Sequence, residues 1–129
     1  MARVLALTAD LLFGSRIQGD LSAAGDEVEL IPDEARLRAR LGDADRPVAD
    51  VLMVDLIDAD LDGARIVEVL AREGALNSVA TLGFYSHVDV QARERAEHAG
   101  FDRIVPRSRM AREGPELVEG LISSRWGSG

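Results

Sequence analysis

Lysine and cysteine are both missing from this chain. All fifteen basic residues are therefore Arg, which removes Schiff-base chemistry, P-loop phosphate clamping and every other mechanism that needs an ammonium group. Without Cys there is no disulfide, no thiolate nucleophile and no sulfur-ligated metal. Aromatics are scarce, with three Phe, one Tyr and one Trp, so little is available to stack on a flavin or a base. No apolar run approaches the roughly 20 residues of a membrane span, and the start, Met-Ala-Arg-Val-Leu, is not an apolar leader. A soluble, cytoplasmic protein is expected. Basic charge is also short: the net charge of −8 disfavours the basic stripe of a nucleic-acid binder.

What is present fits one compact domain. The 129 residues are 47% hydrophobic and 29% charged, inside the globular range. Residues 1–125 read as the domain and 126–129 as a flexible tail. Short runs rich in Val, Leu and Ile recur between stretches of helical period, the signature of βαβ units around a parallel sheet covered on both faces. Strands are expected at 3–8, 27–31, 50–56, 79–84 and 102–106, each followed by a helix, giving an α/β, (βα)5 doubly wound architecture. The first helix presents Phe13, Ile17, Leu21 and Ala24 on one face and stops near Gly25. The second opens with Asp33 and Glu34 and ends at Gly42. In the third, Asp62 stands at the capping position, with Leu61 and Ile66 as a hydrophobic staple. The fourth spans roughly 87–99, with Ser86 and Asp89 in a capping-box arrangement. Pro115 suits the first turn of the fifth.

In such a sheet, chemistry collects at the carboxyl ends of the strands. Those ends bring together Asp10 after the first strand, Asp55 closing the third, Ser86 and His87 after the fourth, and Arg107 and Ser108 after the fifth. Asp55 is the sharpest signal, because a carboxylate ending a Val-Leu-Met-Val run is buried and needs a partner. Asp10 is placed to cap the first helix as well as to serve a site. The run Asp58-Ala-Asp60-Leu-Asp62-Gly63 opens like a calcium loop, but Val69 stands at its twelfth position where a Glu is required. No glycine-rich phosphate loop follows the first strand.

The stretch from Val51 through Asp55 to Asp62-Gly63 resembles the phosphoacceptor strand and loop of bacterial response-regulator receiver domains, and the likeness extends over the chain in length and element order. The resemblance implies a flavodoxin-like sheet of order 2-1-3-4-5 and an acyl phosphate on Asp55. It also implies a Mg2+ held by Asp55 and an acidic pair after the first strand, a hydroxyl residue after the fourth and a Lys after the fifth. This sequence departs from that pattern. Ala9 stands at the first acidic position and Asp10 at the second. Tyr85, or Ser86 with a one-residue slip, falls at the hydroxyl position. Arg107 replaces the Lys, Ser108 follows it, and Ile104 replaces the aromatic that swings in many activated receivers. The likeness is to a degenerate receiver, or pseudo-receiver, with a weak Mg2+ site at Asp10 and Asp55.

The expected function is a stand-alone signalling module rather than an enzyme. It would bind other signalling proteins, a histidine kinase among them, under control of phosphorylation at Asp55. Ser86, His87, Arg107 and Ser108 would contact the phosphoryl group or switch with it. The partner face would lie along the fourth helix, fifth strand and fifth helix, around Ile104 and Arg109. One alternative is a phosphorylation-independent adaptor with Arg107 paired to Asp55. Another is a metal-assisted phosphohydrolase on Asp10 and Asp55, for which Ala9 fails to supply the further carboxylate.

Overall fold

A computed structural model describes residues 1–42 and 49–126. Strand and helix alternate as β1 (Arg3–Leu7), α1 (Leu11–Ala23), β2 (Glu27–Ile31), α2 (Glu34–Gly42), β3 (Val51–Asp55), α3 (Gly63–Arg72), β4 (Ala80–Tyr85), α4 (Val90–Ala99), β5 (Arg103–Pro106) and α5 (Arg107–Trp126). The strands form one parallel sheet in the order β2-β1-β3-β4-β5. The expected architecture and strand order are therefore what the chain adopts. Of the expected tail 126–129, Trp126 is the last residue of α5 and 127–129 lie outside the described residues.

The two-residue period of a strand explains the layering. Val4, Ala6, Val51, Met53, Leu82 and Phe84 point to one face, where they pack with Phe13, Ile17 and Leu21 of α1 and with Met110, Leu117 and Val118 of α5. Leu5, Leu7, Leu52 and Val54 point to the other, against Leu37 of α2 and Ile66, Val67 and Leu70 of α3. Both faces being covered, every residue of β3 and of β4 is buried. The rim strand β2 instead exposes Glu27 and Glu29, charges that guard an open edge. On the surface, Glu34 ties α2 to α3: its carboxylate bonds Arg65 at 2.8 Å and Arg38 at 3.0 Å. These guanidiniums, Arg65 foremost, hold its carboxyl below the usual carboxylate range.

Three helix starts differ from expectation. Asp62 does not cap α3: its backbone is left-handed (φ 53°), and its side chain makes no capping bond. A capping side chain reaches the free amides from an extended backbone. Here the carboxylate turns instead to Arg95 at 2.7 Å and Arg65 at 3.4 Å, tying the start of α3 to α4. Helix α4 begins at Val90, not near residue 87, because Asp89 is its cap and accepts the Ala92 amide at 3.0 Å. Ser86 contributes only its carbonyl, which accepts the Asp89 amide at 2.8 Å. Helix α5 starts directly after β5, so Arg107 and Ser108 occupy its first turn rather than a loop. Its helical geometry breaks at Glu113 (φ −126°). Pro115 lies two residues on, where its ring crowds the preceding turn, and it opens the second helical stretch.

Among the described residues, no helix is long and apolar enough to cross a membrane.

Candidate functional site

β1 and β3 are parallel neighbours with Leu7 opposite Val54, so the next residue of each, Thr8 and Asp55, emerges side by side at the carboxyl edge. Asp55 is only 4% exposed. Burying a carboxylate is tolerable when its oxygens are bonded, and here they are. The Thr8 hydroxyl donates to Asp55 Oδ2 at 2.8 Å. The amides of Ile57 and Asp58 donate to Oδ1 at 2.8 and 3.3 Å, because the chain turns sharply after β3. No buried side-chain polar atom among the described residues is left unbonded.

Asp10 stands beside this group and serves two partners. Its Oδ1 accepts the Phe13 amide at 3.0 Å and so caps α1, as the sequence predicts. Its Oδ2 accepts from the Arg107 guanidinium at 3.3 Å. The Thr8 hydroxyl also accepts the Asp10 amide at 3.1 Å, linking the two acidic residues through one side chain. Arg107 lies over the Phe13 ring, 4.3 Å from its centre, within the range of a cation–π contact. Phe13 in turn meets Phe84 at 4.9 Å between ring centres. Ala9, Asp10, Asp55, Ile57, Asp58, Phe84 and Arg107 wall a cavity of about 230 Å3 open to solvent.

The pairing of Arg107 with Asp55 that the adaptor alternative requires is thus not the one formed. Arg107 is held by its stacking over Phe13, in the first turn of α1, which presents its fork to the capping Asp10. Asp55 meanwhile draws its bonds from Thr8 and the loop amides. Of the residues singled out in the sequence, Asp10, Asp55 and Arg107 meet at the cavity, while Ser86, His87 and Ser108 are not among its walls. Tyr85 is buried at the end of β4, and it is Phe84, in register with Asp55, that faces the cavity. Ile104 is half-buried in β5, and Arg109 pairs with Glu113 at 3.3 Å along α5.

Thr8 was not read from the sequence, although a signal existed: it is a hydroxyl two residues before Asp10 at the end of a buried strand. Its role predicts a measurable cost. Thr8→Val keeps the shape but leaves Asp55 Oδ2 and the Asp10 amide without that partner. Urea unfolding should show a loss of about 1–3 kcal/mol, the range for a buried group deprived of its hydrogen bond.

The divalent cation that the sequence resemblance implies fits these residues poorly. Mg2+ requires a near-octahedral set of oxygens, usually one or two carboxylates with waters. Ala9 supplies no side-chain oxygen, and both oxygens of Asp10 are engaged, one by an amide and one by a guanidinium. Among the described residues, no group of three or more His, Asp or Glu is gathered to hold a metal ion.

No family profile matches the sequence, and no curated protein matches it. Solved structures do. The receiver domain of a Francisella response regulator superposes with a TM-score of 0.81 at 15% identity, covering 97% of this chain and 99% of that one. A CheY-like receiver domain protein from Methanospirillum hungatei gives 0.82 at 15% identity, over 100% and 99% of the two chains. The response regulator Rcp1, solved in a Mn2+-bound form, gives 0.73 at 14% identity, over 95% and 93%. Agreement in strand order, element succession and extent at such low identity is agreement of backbone, and on that basis the chain has the fold of response-regulator receiver domains.

Proposed function

We propose that this protein is a signalling module of the two-component type, acting by binding other proteins, and that Asp55 is its phosphoacceptor. The observation that carries this reading is the state of Asp55. It ends the central strand, it lines an open cavity, and it carries hydrogen bonds from Thr8 and two loop amides but no guanidinium, because Arg107 pairs with Asp10. In the proposed step a carboxylate oxygen of Asp55 attacks the phosphorus of a phosphoryl donor. The bond from phosphorus to the donor's leaving group breaks, and a mixed anhydride forms on Asp55. Arg107, charged at any working pH and suited to bidentate phosphate contact, is the cation at hand for the new oxygens. Added charge at the strand ends would bias the loops after β3 and β4 between alternative arrangements. The surface reporting this change would be α4, β5 and α5, around Ile104 and Arg109. The kinase-like donor and the binding partner are other signalling proteins.

Incubation with acetyl phosphate, with and without Mg2+, followed by intact-mass measurement tests the reading. The expected result is one added phosphoryl group, absent in Asp55→Asn. If conditions that modify an ordinary receiver leave this chain unmodified, or if Asp55→Asn is modified equally, Asp55 is not the acceptor. A second reading, a constant-state adaptor whose Asp55 is never modified, draws on Ala9 and the closed Asp10–Arg107 pair. Partner binding indifferent to the phosphoryl donor would select it.

A further inference from the structure

We infer that Arg107 is the resident cation of this site, standing in for a divalent ion, so that the chain excludes Mg2+ and Mn2+ until the guanidinium is removed. The geometry assigns it that place in three ways. Its nitrogen meets Asp10 Oδ2, an oxygen that a metal at this edge would require. It is anchored from behind, lying 4.3 Å over Phe13, whose ring is itself braced by Phe84. It also belongs to the first turn of α5, directly after β5, so a rigid element rather than a flexible loop delivers it.

The charges around the cavity agree with this role. Asp10, Asp55 and Asp58 face it with Arg107 as the cation among its walls. A guanidinium cannot be deprotonated in a protein, so its charge never leaves the site. A divalent ion arriving beside Asp10 would meet a fixed positive charge and a carboxylate already spent on Phe13 and Arg107. Ala9 denies it compensation from a second acid on the same loop. The inference concerns only the resting site and holds whether or not Asp55 is ever phosphorylated.

Site-resolved Mn2+ titration of the full chain by amide NMR tests it. Broadening of the amides around Asp10 and Asp55 should be absent in the parent at millimolar Mn2+. It should appear in Arg107→Met, which keeps an apolar stem over Phe13 while losing the charge. In Ala9→Asp combined with Arg107→Met, half-saturation should come at least tenfold lower, while Ala9→Asp alone should gain less than the combination. Arg107→Gln, also uncharged, should behave as Arg107→Met and guards against a folding defect in either one; a thermal melt checks each variant. Parent broadening at the same half-saturation as both uncharged variants would overturn the inference. So would Ala9→Asp alone binding as tightly as the combination, because the guanidinium would then be no obstacle.

Discussion

Leu52→Ala is expected to cost about 2–5 kcal/mol of unfolding free energy, the range for removing a large aliphatic side chain from a core that cannot fully collapse around the gap. Leu52 has 0% exposure. It is the second residue of the central strand β3, with Leu5 of β1 on one side and Thr81 of β4 on the other. Its side chain packs with the cluster that includes Leu37 of α2 and Leu70 of α3. Backbone ladders to β1 on one side and β4 on the other hold this strand, so its neighbours cannot move in to fill the space. Chemical denaturation gives the number directly. A cost below about 1 kcal/mol would mean a solvent-relaxed site, in conflict with a central β3 covered on both faces.

The second large effect concerns Gly63. A Cβ there would stand 2.5 Å from Val54 Cγ1 and 3.0 Å from the Asp55 carbonyl oxygen. One contact is a side chain locked in the core and the other is backbone, so neither yields cheaply. Gly63→Ala should therefore cost about 1–3 kcal/mol, as overpacking does. It should also displace amide resonances of Thr8, Asp55 and Ile57, because the clash pushes the start of α3 away from the end of β3. Gly19 offers the comparison. It is exposed in the middle of α1, and nothing lies within 4 Å of the added atom. Gly19→Ala should stabilise the chain by about 0.5–1 kcal/mol through helix propensity alone. Equal behaviour of the two substitutions would remove the close approach of α3 to β3 as the reason for Gly63. The Asp62-Gly63 pair that helped the sequence reading thus has a steric cause in its second member.

The elements themselves were legible from pattern. Val-Leu-Met-Val-Asp could only be a strand buried on both faces, and Phe13, Ile17 and Leu21 recur at the period of a helix lying on a sheet. The capping of α1 by Asp10 followed from a local rule, and so it formed. Asp62 obeyed the same rule in sequence and broke it in space: a left-handed backbone and two guanidiniums from α3 and α4 took its carboxylate elsewhere. At α4 the cap moved from the expected Ser86 to Asp89, because several nearby residues met the local requirement and only packing chose between them. Arg107 illustrates the same limit. Its arrival at the acidic edge was predictable from its place after β5, but its partner was not.

The order of apolar and polar residues along the chain was enough to determine a five-stranded parallel α/β layer structure with Asp55 at the mouth of its third strand; that this strand is the middle one of the sheet was implied only by the family resemblance. Burial is a one-dimensional pattern, repeated every two residues in strands and about every 3.6 in helices. Which charge neutralises which was decided only in three dimensions. A long guanidinium side chain reaches several carboxylates equally well on paper. Here the stacking of Arg107 on Phe13, and the filling of Asp55 by the Thr8 hydroxyl and two backbone amides, left Asp10 as its partner.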